Sequence, residues 1–423
     1  MRILLFLLCG SLTTLFAQNR FQLDRSISSQ TQSFSARSQD GQTVLLFLEG
    51  SGGDLYVLDQ NLQLARQVHL IDLPIAQNGQ PLGLMFDGSV AQLYYLDPLT
   101  TSYQSIQIDT RSRTTRLQRL DLRDGRSHLH AGAFTYEGVL HIMRLPRTKQ
   151  SIRLCRFTED GSFSNQEYLI SRADFLDKAD RKFVQIHSDS LQTPADTWHP
   201  AKLYQHGDMM YLSLDESDGT YVVGIDLKAE KKWERSFPSA QTGRDSSLKV
   251  ASLIHQQELM QLSVQASGLA VQVRQLNRPN LIASHVFNRE SHFQFKHQDS
   301  KRYQTQPLIS MPEFIDAVLS THMPALAIEE LDPHMLRLQV AAVKSANNRG
   351  VSGIVLSNSL GWSQFDLPLS YPDYGFDLPL SYLNLPRLNR RKNYRQLFSY
   401  EEKGHTWLAF YDPRQQKITY LRR

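Results

Sequence analysis

Residues 33–70 read SFSARSQDGQTVLLFLEGSGGDLYVLDQNLQLARQVHL. Four short β-type runs lie in this stretch, at 33–38, 43–49, 54–59 and 63–70. The breaks between them are Asp40-Gly41, Gly50-Ser51-Gly52-Gly53 and Asp59-Gln60-Asn61. Glycine, aspartate and asparagine supply the left-handed backbone and side-chain hydrogen bonds that tight turns need. The stretch therefore predicts four strands joined by hairpins.

Downstream, the same unit returns. It recurs at 82–86, 92–96, 103–108 and 113–121, and again at 129–135, 138–144, 151–157 and 163–170. Fourth and fifth copies occupy 200–237 and 247–287. The sixth is looser, at 324–330, 334–343, 350–357 and 362–367. A seventh, at 395–401, 405–411 and 416–422, lacks one strand, and the unclaimed piece at 21–27 is positioned to supply it. Short strands at this spacing suit a sandwich, a barrel or a propeller. Repeated four-strand units favour a propeller, since each small sheet buries its faces only against its neighbours. The pattern resembles β-propellers at the level of architecture. That resemblance implies an all-β ring of about seven four-stranded blades, closed by the N-terminal strand. The stretch 38–43 is similar to the Asp-box of sialidase-like propellers but is a residue short and occurs once, so it reads as an Asp-Gly hairpin turn.

Three longer links interrupt the repeat, at 171–199, 288–323 and 368–394, each between an outer strand and the next inner one. Such links emerge on one face of a propeller, where long loops on a rigid scaffold tend to carry function. In the first link, Phe175, Leu176, Ala179 and Phe183 outline a short helix. The second contains Ser310-Met-Pro-Glu313, a capping box ahead of an apolar helix. The third, with the residues just before it, repeats Phe-Asp-Leu-Pro-Leu-Ser-Tyr at 365–371 and 376–382.

Candidate ligand-binding residues on that face are Trp198, His199, Tyr303, Tyr371, Tyr374, Arg390, Arg391 and Lys392. Aromatic planes suit sugars and protein hot spots, and the arginines suit anions. His128, His130, His199 and His322 stand near inner-strand starts, where imidazoles could hold a metal at the channel mouth; no other cofactor is implied. Carboxylates in the links include Asp174, Asp177, Asp189, Asp196, Glu290, Asp299 and Asp373, the residue type that glycosidic acid–base chemistry needs. Arg111, Arg113, Arg116, Arg119, Arg123 and Arg126 surround the outer strand of the second unit, where edge charge discourages pairing with other chains. No Gly-rich phosphate loop, serine-hydrolase elbow or zinc-finger spacing is present.

The chain has 423 residues, 41% apolar and 21% charged, with a formal net charge of +4. That mild balance does not point to nucleic acid. Residues 1–17 read as an export signal: one arginine, an apolar run from Ile3 to Leu8, and a cleavage point after Ala17. The propeller then spans 18–423, outside the cytoplasm, in the periplasm or beyond. No later apolar run approaches the roughly 18 residues that a membrane span needs. Cleavage leaves Cys155 alone, so no internal disulfide is available and a buried thiol is expected. These features favour a binding scaffold for a glycan or protein ligand. The alternative is a carbohydrate-active hydrolase or lyase using carboxylates or histidines of the same links. The fold hosts both.

Overall fold

The computed structural model describes residues 20–22, 31–73, 75, 79–97, 102–120, 127–158, 162–187, 197–240, 248–255, 257–278, 280–291 and 308–332. It also describes strands at 294–298, 335–344, 349–357, 365–366, 395–402, 405–412 and 417–422. The chain is a β-propeller of seven sheets. Blade 1 runs Gln32–Arg37, Thr43–Glu49, Gly52–Leu58, Leu64–Leu70, paired in that order from inside to outside. Blades 2, 3 and 5 repeat the order, starting from inner strands Gln80–Phe86, His128–Tyr136 and Lys249–His255. Blade 4 does so from Ala201–His206, with one strand added inside it.

Near-continuous burial in the second strands follows from this arrangement. In Val90–Asp97, Leu93 and Tyr95 pack toward blade 1 while Tyr94 and Leu96 pack toward blade 3. Alternate side chains point to opposite sheet faces, and here both faces are covered. Each fully buried Leu or Phe contributes about 1.5–3 kcal/mol, so the apolar layers between blades replace a single central core. Cys155 lies within one of them, fully buried.

Closure occurs where the sequence predicts it. Blade 7 is built from Arg395–Glu402, His405–Asp412 and Lys417–Arg422, and Arg20–Gln22 completes it with Phe21 opposite Ile418. Its inner strand returns to that of blade 1.

Blade 6 departs from the expectation. Its first three strands are Met323–Asp332, Met335–Lys344 and Arg349–Ser357. The fourth position was expected from 362–367; of these, the described residues Phe365–Asp366 pair there, at one end. The other end of the third strand pairs with Gln294–Gln298, which precedes the blade in sequence and is paired in turn with Leu308–Ser310. The 288–323 link is thus partly sheet. An outer position has a partner on one side only, so it is filled by whichever extended segment lies nearest.

Inner strands carry a feature that the repeat pattern hid. Blades 2, 3 and 7 each have a bulge within the first four residues of the inner strand, at Leu82, Ala131 and Leu397. Glycine follows the first two. A Cβ at Gly83 would sit 2.8 Å from Leu140 Cδ1, and one at Gly132 would sit 2.4 Å from Leu203 Cδ2. Both glycines let the neighbouring blade close in.

Candidate functional site: the insertion face

The link between blades 3 and 4 opens with the short helix α1, Phe175–Lys178, which buries Phe175 and Leu176. It docks on the turn between the second and third strands of blade 3: its Leu176 N donates to Gln150 Oε1 at 3.0 Å, and just past the helix the Arg181 guanidinium donates to Pro146 O at 2.7 Å. Helix α2, Met311–Ser320, begins with the predicted capping box and buries Met311, Phe314, Ile315 and Val318 against blades 5 and 6. Lys249 Nζ, at the start of blade 5, donates to Val318 O at 2.7 Å and His322 O at 3.1 Å, capping the C-terminus of α2. Arg289 joins α2 through Asp316 at 2.7 Å and reaches Ala266 O in the turn between the second and third strands of blade 5. Both links therefore lie on the face formed by these turns and the outer-to-inner connections.

An ionic net ties α1 to blade 4. Arg172 forks onto Glu216, with Nη2 to Oε1 at 2.8 Å, and also holds Asp174 at 2.7 Å. Lys178 bonds the same two carboxylates, and the guanidinium of Arg172 lies 5.1 Å from the centre of the Tyr221 ring. Hydrogen bonds from Arg172 and then Lys178 pull the Asp174 carboxyl down to about 2. Nearby, burial pushes Glu234 upward, but bonds from Lys232, Tyr221 and the Ser171 backbone outweigh it and hold the group at about 2. Carboxylates so anchored stay ionised and are poor general acids. Asp177 is engaged by Arg181 and Gln150. Of the other carboxylates named from the sequence, Asp189, Asp196, Asp299 and Asp373 lie outside the described residues, and Glu290 is exposed.

The same link then enters the ring. Val184–His187 adds a fifth strand to blade 4, parallel to Ala201–His206 on its inner side. Gln185 clamps it to blade 3: its side-chain amide accepts from Ala133 N at 3.2 Å and donates to Ala133 O at 2.7 Å. Beyond it, the Thr197 hydroxyl donates to Leu326 O in the inner strand of blade 6. Trp198 packs on Ala325, Ala341 and Val343 and meets His199 edge-on at 5.7 Å. Trp198 and His199, predicted as ligand contacts, thus help hold the link where it reaches blade 6. Tyr303, Tyr371, Tyr374, Arg390, Arg391 and Lys392 lie outside the described residues.

The four candidate metal histidines are not brought together; among the described residues no group of three or more His, Cys, Asp or Glu is arranged to hold an ion. Each has a local role. His128 contacts Ser127, and His199 contacts the Ala201 backbone. His322 bonds Ala317 O at the end of α2. His130 meets the Tyr103 hydroxyl at 3.3 Å; burial, then the charge of Arg144, lowers its pKa to about 4, while burial raises Tyr103 to about 12.

Sequence reasoning missed a polar seam between blades 4 and 5. Lys202 Nζ and Asp215 Oδ2 pair at 2.6 Å, with both side chains almost fully buried. Asp215 also accepts from Ser252 N at 2.9 Å and Thr220 Oγ1 at 2.9 Å. Gln261 continues the chain to Thr220 and Phe237 O. Three donors on one carboxylate satisfy a charge that burial would otherwise penalise severely. Among the described residues, the opposite face carries a depression bounded by Gln42, Asp59, Gln60, Asn61, Ala65 and Arg66.

No protein-family model matches the chain, and no curated protein matches it in sequence. Among solved structures it is similar to a protein from Lactobacillus plantarum, with 11% identity and a TM-score of 0.34, over 81% of this chain and 85% of that one. It is also similar to a prolyl endopeptidase, with 10% identity and a TM-score of 0.32 over 91% and 47% of the two chains. Prolyl oligopeptidase B from Galerina marginata matches at 11% identity and a TM-score of 0.31, over 90% and 46%. The chain spans about half the length of these two peptidases. Likenesses this distant say nothing of activity; the propeller stands on the strand pairing of the chain itself.

Proposed function

We propose that this propeller is a non-catalytic binding scaffold that engages a glycan or protein ligand through the insertion face. The observation that carries the reading is how the titratable groups there are used. Arg172, Asp174, Lys178 and Glu216 are spent on fastening the link to blade 4. An enzyme needs converging groups free to exchange protons in a concave site; a platform needs a rigid raised surface. The proposal includes export by residues 1–17, which puts the ligand outside the cytoplasm.

A panel of polysaccharides, glycosides and candidate proteins, assayed for both binding and turnover, tests it. Binding without turnover is expected. A bulky maleimide on Asp180→Cys, an exposed position beside α1, should block that binding without unfolding the chain. Sustained product release that disappears in Asp177→Asn would sink the binding-only reading.

A further inference from the structure

We propose that the outer edge of blade 2 is a docking ridge for a linear acidic polysaccharide, one bearing carboxylate or sulfate groups along its length. The outer strand Thr115–Leu120 and the turn before it carry Arg111, Arg113, Arg116 and Arg119, all exposed. None of the four makes a side-chain hydrogen bond or ion pair among the described residues. Other arginines of the molecule behave differently: Arg156 pairs with Glu230 at 2.7 Å, Arg181 with Asp177 at 2.7 Å, and Arg289 with Asp316 at 2.7 Å. Among the described residues, the carboxylate nearest the ridge in sequence is Asp109, whose Oδ1 accepts from Arg111 N at 2.8 Å and Ser112 N at 2.9 Å.

Edge protection alone does not account for the row. Blade 4 protects its outer strand with mixed charges that satisfy one another, Lys232 bonding Glu234 and Arg235 donating to Leu276 O at 2.7 Å. Blade 5 has an outer strand, Leu281–Asn288, with no Lys, Arg, Asp or Glu. Four like charges with no ion pair among the described residues repel one another, a cost that a bound polyanion removes. Arg113 also holds φ at 59°, a left-handed position that favours glycine or asparagine, yet an arginine stands there.

The shape selects the partner. At roughly 3.3 Å rise per residue, Arg116 and Arg119 stand about 10 Å apart along the strand and, three residues apart, point to opposite faces of the blade. The edge thus carries a guanidinium on either side of it, and the turn arginines extend the charge beyond the strand. No aromatic residue occurs between Thr110 and Leu120, so nucleic-acid bases have no stacking surface. Leu117 is the lone exposed large apolar side chain of the strip, too little for the apolar face that membrane-surface elements insert. Guanidinium forks pair with carboxylate or sulfate in two-point geometry, which a linear acidic glycan presents repeatedly.

The test uses the full chain and two probes, a size-defined heparin oligosaccharide and polygalacturonate, at low and physiological salt. At least one should bind and weaken steeply with salt. Arg116→Glu with Arg119→Glu should weaken it at least tenfold, and Lys231→Glu on the blade 4 edge should leave it unchanged. The neutral pair Arg116→Gln and Arg119→Gln, with an unchanged melting temperature, separates lost charge from lost folding. The proposal is overturned if neither glycan binds, or if the double reversal binds as tightly as the parent. Tighter, reversal-sensitive binding to DNA or to phosphatidylserine vesicles would also overturn it, by giving the ridge to another class of ligand. The ridge lies at the rim of blade 2, so either outcome leaves the reading of the insertion face standing.

Discussion

The two ends of this propeller are held by different kinds of bond. On the face opposite the insertions, aspartates close turns on themselves. Asp59 Oδ1 accepts from Asn61 N at 2.8 Å and Gln63 N at 2.9 Å, Asp87 from Ser89 N and Val90 N at 2.7 Å, and Asp226 from Lys228 N at 3.0 Å and Ala229 N at 2.6 Å. Every partner of these three carboxylates is a near neighbour in sequence, while a few longer contacts, such as Arg156 with Glu230 of the next blade at 2.7 Å, join neighbouring turns. On the insertion face the partners come from distant strands: Arg172 with Glu216, Gln185 with Ala133, Thr197 with Leu326. One end is closed mainly by local turns, and the other is a mesh in which each contact presupposes the fold. Damage to the first should stay local and add up; damage to the second should spread.

The largest effect is expected at the buried pair beside the insertion face. Lys202→Met leaves Asp215 ionised without its cation and should cost about 3–5 kcal/mol, read as a lower urea midpoint. If Lys202→Met together with Asp215→Leu is no more stable than the single variant, the pair is not the unit of stability there. Next comes Gln185→Ala, which strips both partners from the Ala133 backbone groups and should cost about 1–3 kcal/mol. Hydrogen exchange should speed up around 131–134 and 184–187 together. Faster exchange in one segment alone would show that the clamp does not couple blades 3 and 4.

On the turn face, Asp59→Ala and Asp226→Ala should each cost about 1 kcal/mol, and their effects should add to within about 0.5 kcal/mol. Arg172→Ala and Glu216→Gln share one contact and should not add. A reversal of this pattern would erase the contrast between the faces.

The smallest effect at neutral pH involves one histidine near each end, His130 and His141. Burial lowers both to about 4; Arg144 adds to the effect at His130, while at His141 a bond to the Val139 carbonyl works against it. Unfolded histidine titrates near 6.5. Between those values the unfolded chain binds more protons, so stability is full above about pH 6.5 and falls as pH drops toward 4. His130→Gln and His141→Gln should each flatten that acid limb while changing little at pH 7.5, as followed by melting temperature against pH.

Much of the candidate site was legible at the level of local chemistry. The capping box of α2 and the apolar side of α1 could be read directly, because a helix start and its buried face depend on residues within a few positions. The strand at 184–187 has alternating Val184 and Ile186, a weak signal that said nothing about a parallel partner inside blade 4. The bulges left a better trace, since Gly83 and Gly132 stand inside strands where glycine is otherwise costly. His128, His130, His199 and His322 looked like a group because each precedes or opens an inner strand. One nitrogen of each ring instead contacts a local partner: Ser127, the Tyr103 hydroxyl, the Ala201 backbone and the Ala317 carbonyl respectively.

By itself, the sequence determined most of the strands and their order within the blades, most of the turns between them, and the return of the N-terminal strand to the last blade. These depend on alternation, turn residues and strand count, all of which are local or countable. Only the tertiary structure decided that blade 6 takes its outer strand from Gln294–Gln298, that Gln185 bridges blades 3 and 4, and that Lys202 meets Asp215 in a sealed seam. An edge strand accepts any extended neighbour, and a buried charge takes the partner that packing brings within reach. Both choices are made by distance in space, which a linear chain does not encode residue by residue.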